Sequence, residues 1–558
     1  MNRKSPISVA IAAAVLTACG SGDINIEPST TVTDSNNTSN SGGGSNADDA
    51  CASYVNSGGQ TIRGVADGDN CVYSPSFVDA GNNLTVDVTF AALPNGGAHV
   101  LEGSLFVGET YRDDSEMAAA GIAEGGDGPV LTVEAGATLA FQSSADFMVI
   151  NRGSQLFAVG SADAPITFTS VSDVNGTVGP EDVQQWGGIV INGFGVTNQC
   201  QYTGTVAGGD LATTDCHVDA EGAAGLDESQ YGGDNNDDSS GRLEYVLVKH
   251  TGATVGNGDE LNGITFGGVG RNTVVDNLQV YSTFDDGIEM FGGAVNVDNF
   301  VAVYVRDDSI DIDEGYSGTI SNALVVQSGT DGNHCIEADG IASFDDLPPG
   351  PDADPGTIDV EQIIAQGINS RPTISNLTCI VSPNGAATAT HEQGRGWRLR
   401  EGIFATITDS MIVASFGEDS GEDNYCLRVD NRSLQAAQDG DLTIGSTIFA
   451  CQTPTDGGSL PNGTTVQQWA ADSGNQFASL AAQTDPTAAN DPGLQLLEGT
   501  PPVYSIDFTA MQVDGAAPTA TAPAGAFIGG LSLGQTDWTQ PWAYGLHDGN
   551  RAQPLWFE

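Results

Sequence analysis

Short apolar runs separated by Gly, Asp, Asn and Ser recur along the chain, at 131–133, 147–150, 189–191, 245–248 and 323–326. They have the length of strands rather than helices. Between 273 and 340 the pattern becomes a repeat. Val275-Asp276-Asn277 returns as Val297-Asp298-Asn299 and again as Ile320-Ser321-Asn322. Asn277 and Asn299 lie 22 positions apart, Asn299 and Asn322 lie 23. Between these triplets stand Asp285-Asp286-Gly287-Ile288-Glu289, Asp307-Asp308-Ser309-Ile310-Asp311 and His334-Cys335-Ile336-Glu337. A strand-bearing repeat of this length predicts a solenoid, in which each coil buries its apolar face only against its neighbours. Stacking sets equivalent side chains about 4.8 Å apart, so the acidic positions are expected to form columns on one wall. Weaker copies at Ile374-Ser375-Asn376 and Ile407-Thr408-Asp409 follow at larger gaps. Those gaps imply inserted loops, one of them the Pro/Asp-rich run 345–359. A polar, Gly-rich excursion at 197–240 is another. A helix is expected within 466–483, and the aromatic group Trp538, Trp542, Tyr544 and Trp556 is expected to cap the last coil.

Composition agrees with an all-β chain. Of 558 residues 74 are Gly, and aromatic residues are only 7%. Charge adds a restriction. Seventy-three acidic residues against 16 Lys plus Arg give a formal net charge of −57. Such a surface repels nucleic acid and anionic lipid, and it suits surroundings rich in salt or divalent cations.

The N-terminus reads as an export signal. Arg3 and Lys4 precede a short apolar stretch at 7–15, too short to span a bilayer. Leu16-Thr17-Ala18-Cys19 resembles a bacterial lipobox, which implies lipidation of Cys19. No Asp follows at the position that retains lipoproteins in the inner membrane, so outer-membrane anchoring is expected. Eight Cys then remain, an even number that in an exported protein points to disulfides. Neighbour pairing is expected: Cys51 with Cys71, Cys200 with Cys216, Cys335 with Cys379, and Cys426 with Cys451. The expected organisation is a signal peptide at 1–18, a flexible tether at 19–50, an N-terminal β cap at 51–128, the solenoid at 129–455 and a C-terminal cap region at 456–558.

Several segments resemble one family. LTVEAGATL, QWGGIVINGFG, ELNGITFGGVG, DDGIEMFGGAVNVDNFVAVYVRDDSIDIDEGY and WRLREG look like parts of bacterial secreted proteins and lipoproteins similar in fold to pectate lyases. The resemblance covers about 129–429. It implies an all-β, right-handed parallel β-helix (a β-solenoid) with terminal caps and inserted loops. Some lipoproteins of this kind accompany TonB-dependent outer-membrane transporters. The resemblance brings no catalytic residues with it.

Three groups are candidate sites. In the acidic column, Glu289, Asp311 and Glu337 share one coil position, with Asp285, Asp286, Asp307 and Asp308 on a ledge beside it. Like charges stacked at strand spacing need a cation, a proton or an Arg between them. Ca2+ fits, since it takes several oxygen ligands in flexible geometry. A ladder of Asp side chains capping turn N–H groups is an equal reading. The second group is Asp234, Asn236 and Asp238, oxygen ligands on alternate residues that partly resemble a calcium loop. The third is Arg395, Trp397, Arg398, Arg428 and Arg432, with His391 and Tyr425 nearby. Arg pairs well with carboxylate or phosphate, so an anionic saccharide or phosphate is a candidate ligand. In this alignment Arg400 and Arg428 continue the acidic column.

Three functions follow. The leading one is a non-catalytic surface lipoprotein that captures a ligand, as an accessory to an outer-membrane transporter. The second is a Ca2+-dependent lyase or hydrolase of acidic polysaccharide, and the third a structural or adhesive rod. No H-E-x-x-H or P-loop occurs.

Overall fold

The computed structural model describes residues 50–79, 81–122, 127–220, 229–254, 260–347, 359–382, 393–414, 424–451, 453–477, 527–531 and 536–556. Cys19, the expected signal peptide, the tether up to residue 49 and His391 lie outside the described residues.

Two long sheets face one another across an apolar core. Among the described residues the first has ten strands, all parallel and each paired with the corresponding strand of the next coil. From one end they are Leu105–Val107, Met148–Ile150, Ile189–Asn192, Ile264–Gly267, Ile288–Phe291, Ile310–Asp313, His334–Asp339, Arg395–Arg400, Tyr425–Val429 and Thr453–Gly457. The second carries the longer strands Gly241–Thr251, Val274–Thr283, Asn296–Val303, Thr319–Val326 and Thr373–Val381. This is the parallel β-helix that the repeat and the resemblance predict.

The recurring Asn is explained by backbone geometry. Asn277, Asn299, Asn322 and Asn376 all have left-handed φ, between 55° and 57°. Each bends a long strand once per coil, and Asn adopts this conformation more readily than most residues. Asp409 takes the same conformation in the weaker copy (φ 51°). Asn299 Nδ2 donates to Asp276 Oδ1 of the coil below at 2.7 Å, which ties neighbouring bends together. The residues two positions before each bend form a buried stack, Val275–Val297–Ile320–Ile374–Ile407–Ile444.

All four expected disulfides are present. Cys335–Cys379 joins a strand of the first sheet to one of the second across the core. The parallel register starts upstream of residue 129. His99–Leu101 already pairs with Thr138–Phe141, and Leu105–Val107 with Met148–Ile150. The expected helix forms at Val466–Asp472, with Thr465 capping its N-terminus and Val466 and Ala470 buried.

The C-terminal aromatic group departs from expectation. Trp538, Trp542, Tyr544 and Trp556 do not cover the last coil. They belong to a strap that packs on the outer face of the second sheet, against Leu247, Tyr281, Val301, Val303, Leu324 and Ile380. Strand alternation is the cause. Phe300 and Ala302 point into the core, so Val301 and Val303 point outward and need a cover. Gln279 fastens the strap, donating to Tyr544 O and accepting from Tyr544 N, both at 2.7 Å. Beside it Lys249 Nζ lies 2.8 Å from Asp173 Oδ2 and 4.1 Å from the Tyr544 ring centroid.

Burial alone would raise the Asp173 carboxyl, but hydrogen bonding to His250 and the Lys249 charge hold it well below the usual carboxylate range. A depressed folded pKa means that this stabilisation is complete above the unfolded value, about 4, and is lost as pH falls further. Tryptophan fluorescence should therefore report loosening of the strap only below about pH 4. In Asp173→Asn this acid-dependent step should be absent, and the strap weaker at neutral pH.

Candidate metal centre on the ten-strand sheet

Alternation along the first sheet sends one set of side chains into the core and the other outward. Phe266, Met290, Ile312, Ala338, Leu399 and Val429 stack inward. The adjacent outward column reads Thr265, Glu289, Asp311, Glu337, Arg398, Arg428 and Asp456. The expected stack of Glu289, Asp311 and Glu337 is thus present, but its continuation is shifted. Arg398, not Arg400, occupies the next position. Arg400 lies opposite Asp339, two residues further on.

The Asp ledge is partly a turn ladder. Asp286 N donates to Asn262 Oδ1 at 3.1 Å, Asp308 N to Asp286 Oδ1 at 2.9 Å, and His334 N to Asp308 Oδ1 at 2.6 Å. Each side-chain oxygen thus caps the backbone of the coil above. This occupies Oδ1 of Asp286 and Asp308 and leaves the charge of the ledge to be balanced.

Among the described residues, three sets of side chains bring ligand atoms within 4.8 Å of one another. They are Asp285, Asp286 and Asp307; Asp286, Glu289 and Asp311; and Asp308, His334 and Glu337. Asp286, Glu289 and Asp308 are buried, although they sit on the outward side of the sheet. Burial, reinforced by neighbouring carboxylates, pushes Asp286, Asp308, Asp311 and Asp313 well above the ordinary carboxylate range. A cation among them would reverse that penalty. The donor set of the first two clusters is all oxygen and several-fold, which fits Ca2+.

Towards the C-terminus the wall neutralises itself. Glu337 Oε1 is 2.9 Å from Arg398 Nη1 and 3.1 Å from Arg400 Nη2. Arg400 Nε also holds Asp339 Oδ1 at 2.5 Å. Arg428 pairs with Asp430 at 2.5 Å and with Asp456 at 3.1 Å. Burial would raise Glu337, yet His334 and the two Arg bring its carboxyl below the ordinary range. Burial also pushes Glu401 up to about 7.

The expected anion cluster is not one surface. Trp397 is fully buried in the coil interior, with its ring 5.6 Å from that of Phe449. It is a core residue and no ligand contact. Arg432 stands apart, at the start of the helix Arg432–Asp439, and pairs with Glu361. Arg395 donates to Asn333 Oδ1 at 2.6 Å. The Arg side chains thus meet partners within the protein rather than converging on one open point.

The 234–238 loop is likewise pinned inward. Asp234 accepts from Thr213 N at 3.1 Å, Asn236 from Val196 N at 2.8 Å, and Asp238 from Phe194 N at 3.1 Å. These bonds fasten the loop to the backbone at 194–196 and at 213, so each of the three side chains already serves a backbone N–H.

The comparisons with known proteins bear on this architecture. Residues 110–483, more than half of the chain, match the family model described as a pectate-lyase-like β-helix domain. The chain belongs to this β-helix family. No curated protein matches it. Among solved structures the Dettilon tailspike protein matches over 73% of this chain and 68% of its own, at 10% identity and a TM-score of 0.17, too low to carry an argument.

In this family member several wall residues escaped the sequence reading. Asp313 and Asp339 stand two positions after Asp311 and Glu337, on the same outward face, so strict alternation would have found them. His334 and Tyr425 also belong to the wall. His334 Nδ1 is 2.9 Å from Asp308 Oδ1, and its Nε2 is 2.9 Å from the Tyr425 hydroxyl. Glu314, at a left-handed position, accepts from Thr197 Oγ1 at 2.7 Å, Tyr231 Oη at 2.5 Å and Gln199 Nε2 at 3.0 Å, which anchors the 197–240 excursion over the wall.

Proposed function

We propose that the protein is a non-catalytic, lipid-anchored binding protein of the outer membrane, whose acidic wall holds Ca2+ and captures acidic saccharide through it. One observation carries this reading. Carboxylates of successive coils converge within 4.8 Å on the outward face of one rigid sheet. A wall of that charge repels an anionic sugar directly. A divalent cation held by two or three carboxylates keeps open coordination positions for the sugar's own carboxylate. The Arg residues support this route, since their neighbours already include Glu337, Asp339, Asp430 and Asp456. Anchoring through Cys19 and transfer to a TonB-dependent transporter complete the proposal. The lipobox and the family resemblance support them.

A lyase is the second reading, favoured by the Asp308–His334–Tyr425 chain of hydrogen bonds. Both His334 and Tyr425 are buried, however. The test is to incubate the protein with uronate polysaccharide, with and without Ca2+. Retention should require Ca2+, with no rise in ultraviolet absorbance from unsaturated ends. New unsaturated ends would establish the lyase, and absence of retention with Ca2+ would leave the rod.

A further inference from the structure

We propose that Asp308, His334 and Glu337 form a site for a transition-metal ion of the Zn2+ type, chemically separate from the calcium positions. Their ligand atoms lie within 4.8 Å of one another, and theirs is the one cluster of the three with a nitrogen donor. Imidazole with carboxylate suits Zn2+ and its neighbours, whereas Ca2+ and Mg2+ take oxygen ligands.

The surroundings hold each ligand in place. His334 Nδ1 faces two carboxylates at once, Asp308 Oδ1 at 2.9 Å and Glu337 Oε2 at 3.6 Å. A single N–H serves only one of them, whereas a cation there serves both. The Tyr425 hydroxyl, 2.9 Å from Nε2, is placed to accept from an Nε2–H. That tautomer leaves the Nδ1 lone pair pointing at the carboxylates, an arrangement of the kind that orients metal-bound imidazoles. Asp308 is fixed by the His334 backbone N–H at 2.6 Å. Glu337 is fixed by Arg398 and Arg400 on Oε1, so Oε2 is the oxygen turned to His334. The site shares Asp308 and Glu337 with the wall but does not depend on calcium occupying the other two clusters.

The test uses Co2+ as a coloured substitute for Zn2+. Titration of the full-length protein in excess Ca2+ should develop visible absorption that saturates at one equivalent and is erased by Zn2+. His334→Gln should abolish the band. Tyr425→Phe should weaken the affinity roughly 10- to 100-fold while keeping the stoichiometry. Glu337→Gln provides a second ligand variant should His334→Gln fail to fold, and it too should lose the band. No band in the wild type, or a band unchanged in a folded ligand variant, overturns the proposal. Calcium titration of the same samples keeps the two ideas apart. Co2+ binding without Ca2+ binding would sink the calcium reading and leave this site standing.

Discussion

Trp397→Ala should destabilise the protein by about 3–5 kcal/mol, the usual loss for a large aromatic side chain removed from a core. Trp397 is buried between Ile336 below and Leu427 above, in the inward stack of the ten-strand sheet. Its ring meets Phe449 edge-on from the opposite sheet. A parallel coil cannot collapse locally to refill that volume, because its strands are pinned at strand spacing to both neighbours. Calorimetry or denaturant unfolding should show the loss, with binding of saccharide unchanged once the variant is folded. The opposite outcome, normal stability with lost binding, would return Trp397 to a ligand site.

Ca2+ should raise the unfolding temperature and chelation should lower it. At about 100 times its dissociation constant, one site adds roughly 2.7 kcal/mol. The same wall can be neutralised by combining Asp286→Asn, Asp308→Asn and Asp311→Asn. Asn keeps the carbonyl oxygen that accepts the turn N–H in the ladder of Asp286 and Asp308. It removes only the charge. The triple variant should therefore be more stable than the wild type in chelator, since buried like charges are gone. It should no longer respond to Ca2+. A triple variant that is less stable in chelator would mean that the carboxylates act only through their hydrogen bonds.

The fold was legible because its signal is periodic. Asn277, Asn299 and Asn322 mark one bend per coil, and the acidic positions between them fall into register without any gap. The alignment failed where the period was interrupted. Between Asp339 and Arg395 an insertion hides the phase, and Leu399-Arg400 looks like Leu427-Arg428. The hydrogen-bonded register instead sets Trp397 beside Leu427 and Arg398 beside Arg428. Alternation in Arg395-Gly396-Trp397-Arg398-Leu399-Arg400 already places Trp397 on the same side as Leu399, the core side. The large aromatic ring next to basic residues suggested a ligand and obscured that parity. The strap at 536–556 had no local signal. Its partners lie more than 150 residues earlier, on a sheet face whose outward apolar residues look like ordinary strand residues in the sequence.

An acidic wall that is a cation site built from successive coils must bind calcium in solution. Calcium titration calorimetry on the full-length protein, beside the Asp286/Asp308/Asp311 triple Asn variant, tests it most directly. Saturable binding in the wild type that is lost in the folded variant is the expected result. No calcium heat in the wild type, or equal binding in the variant, would contradict it.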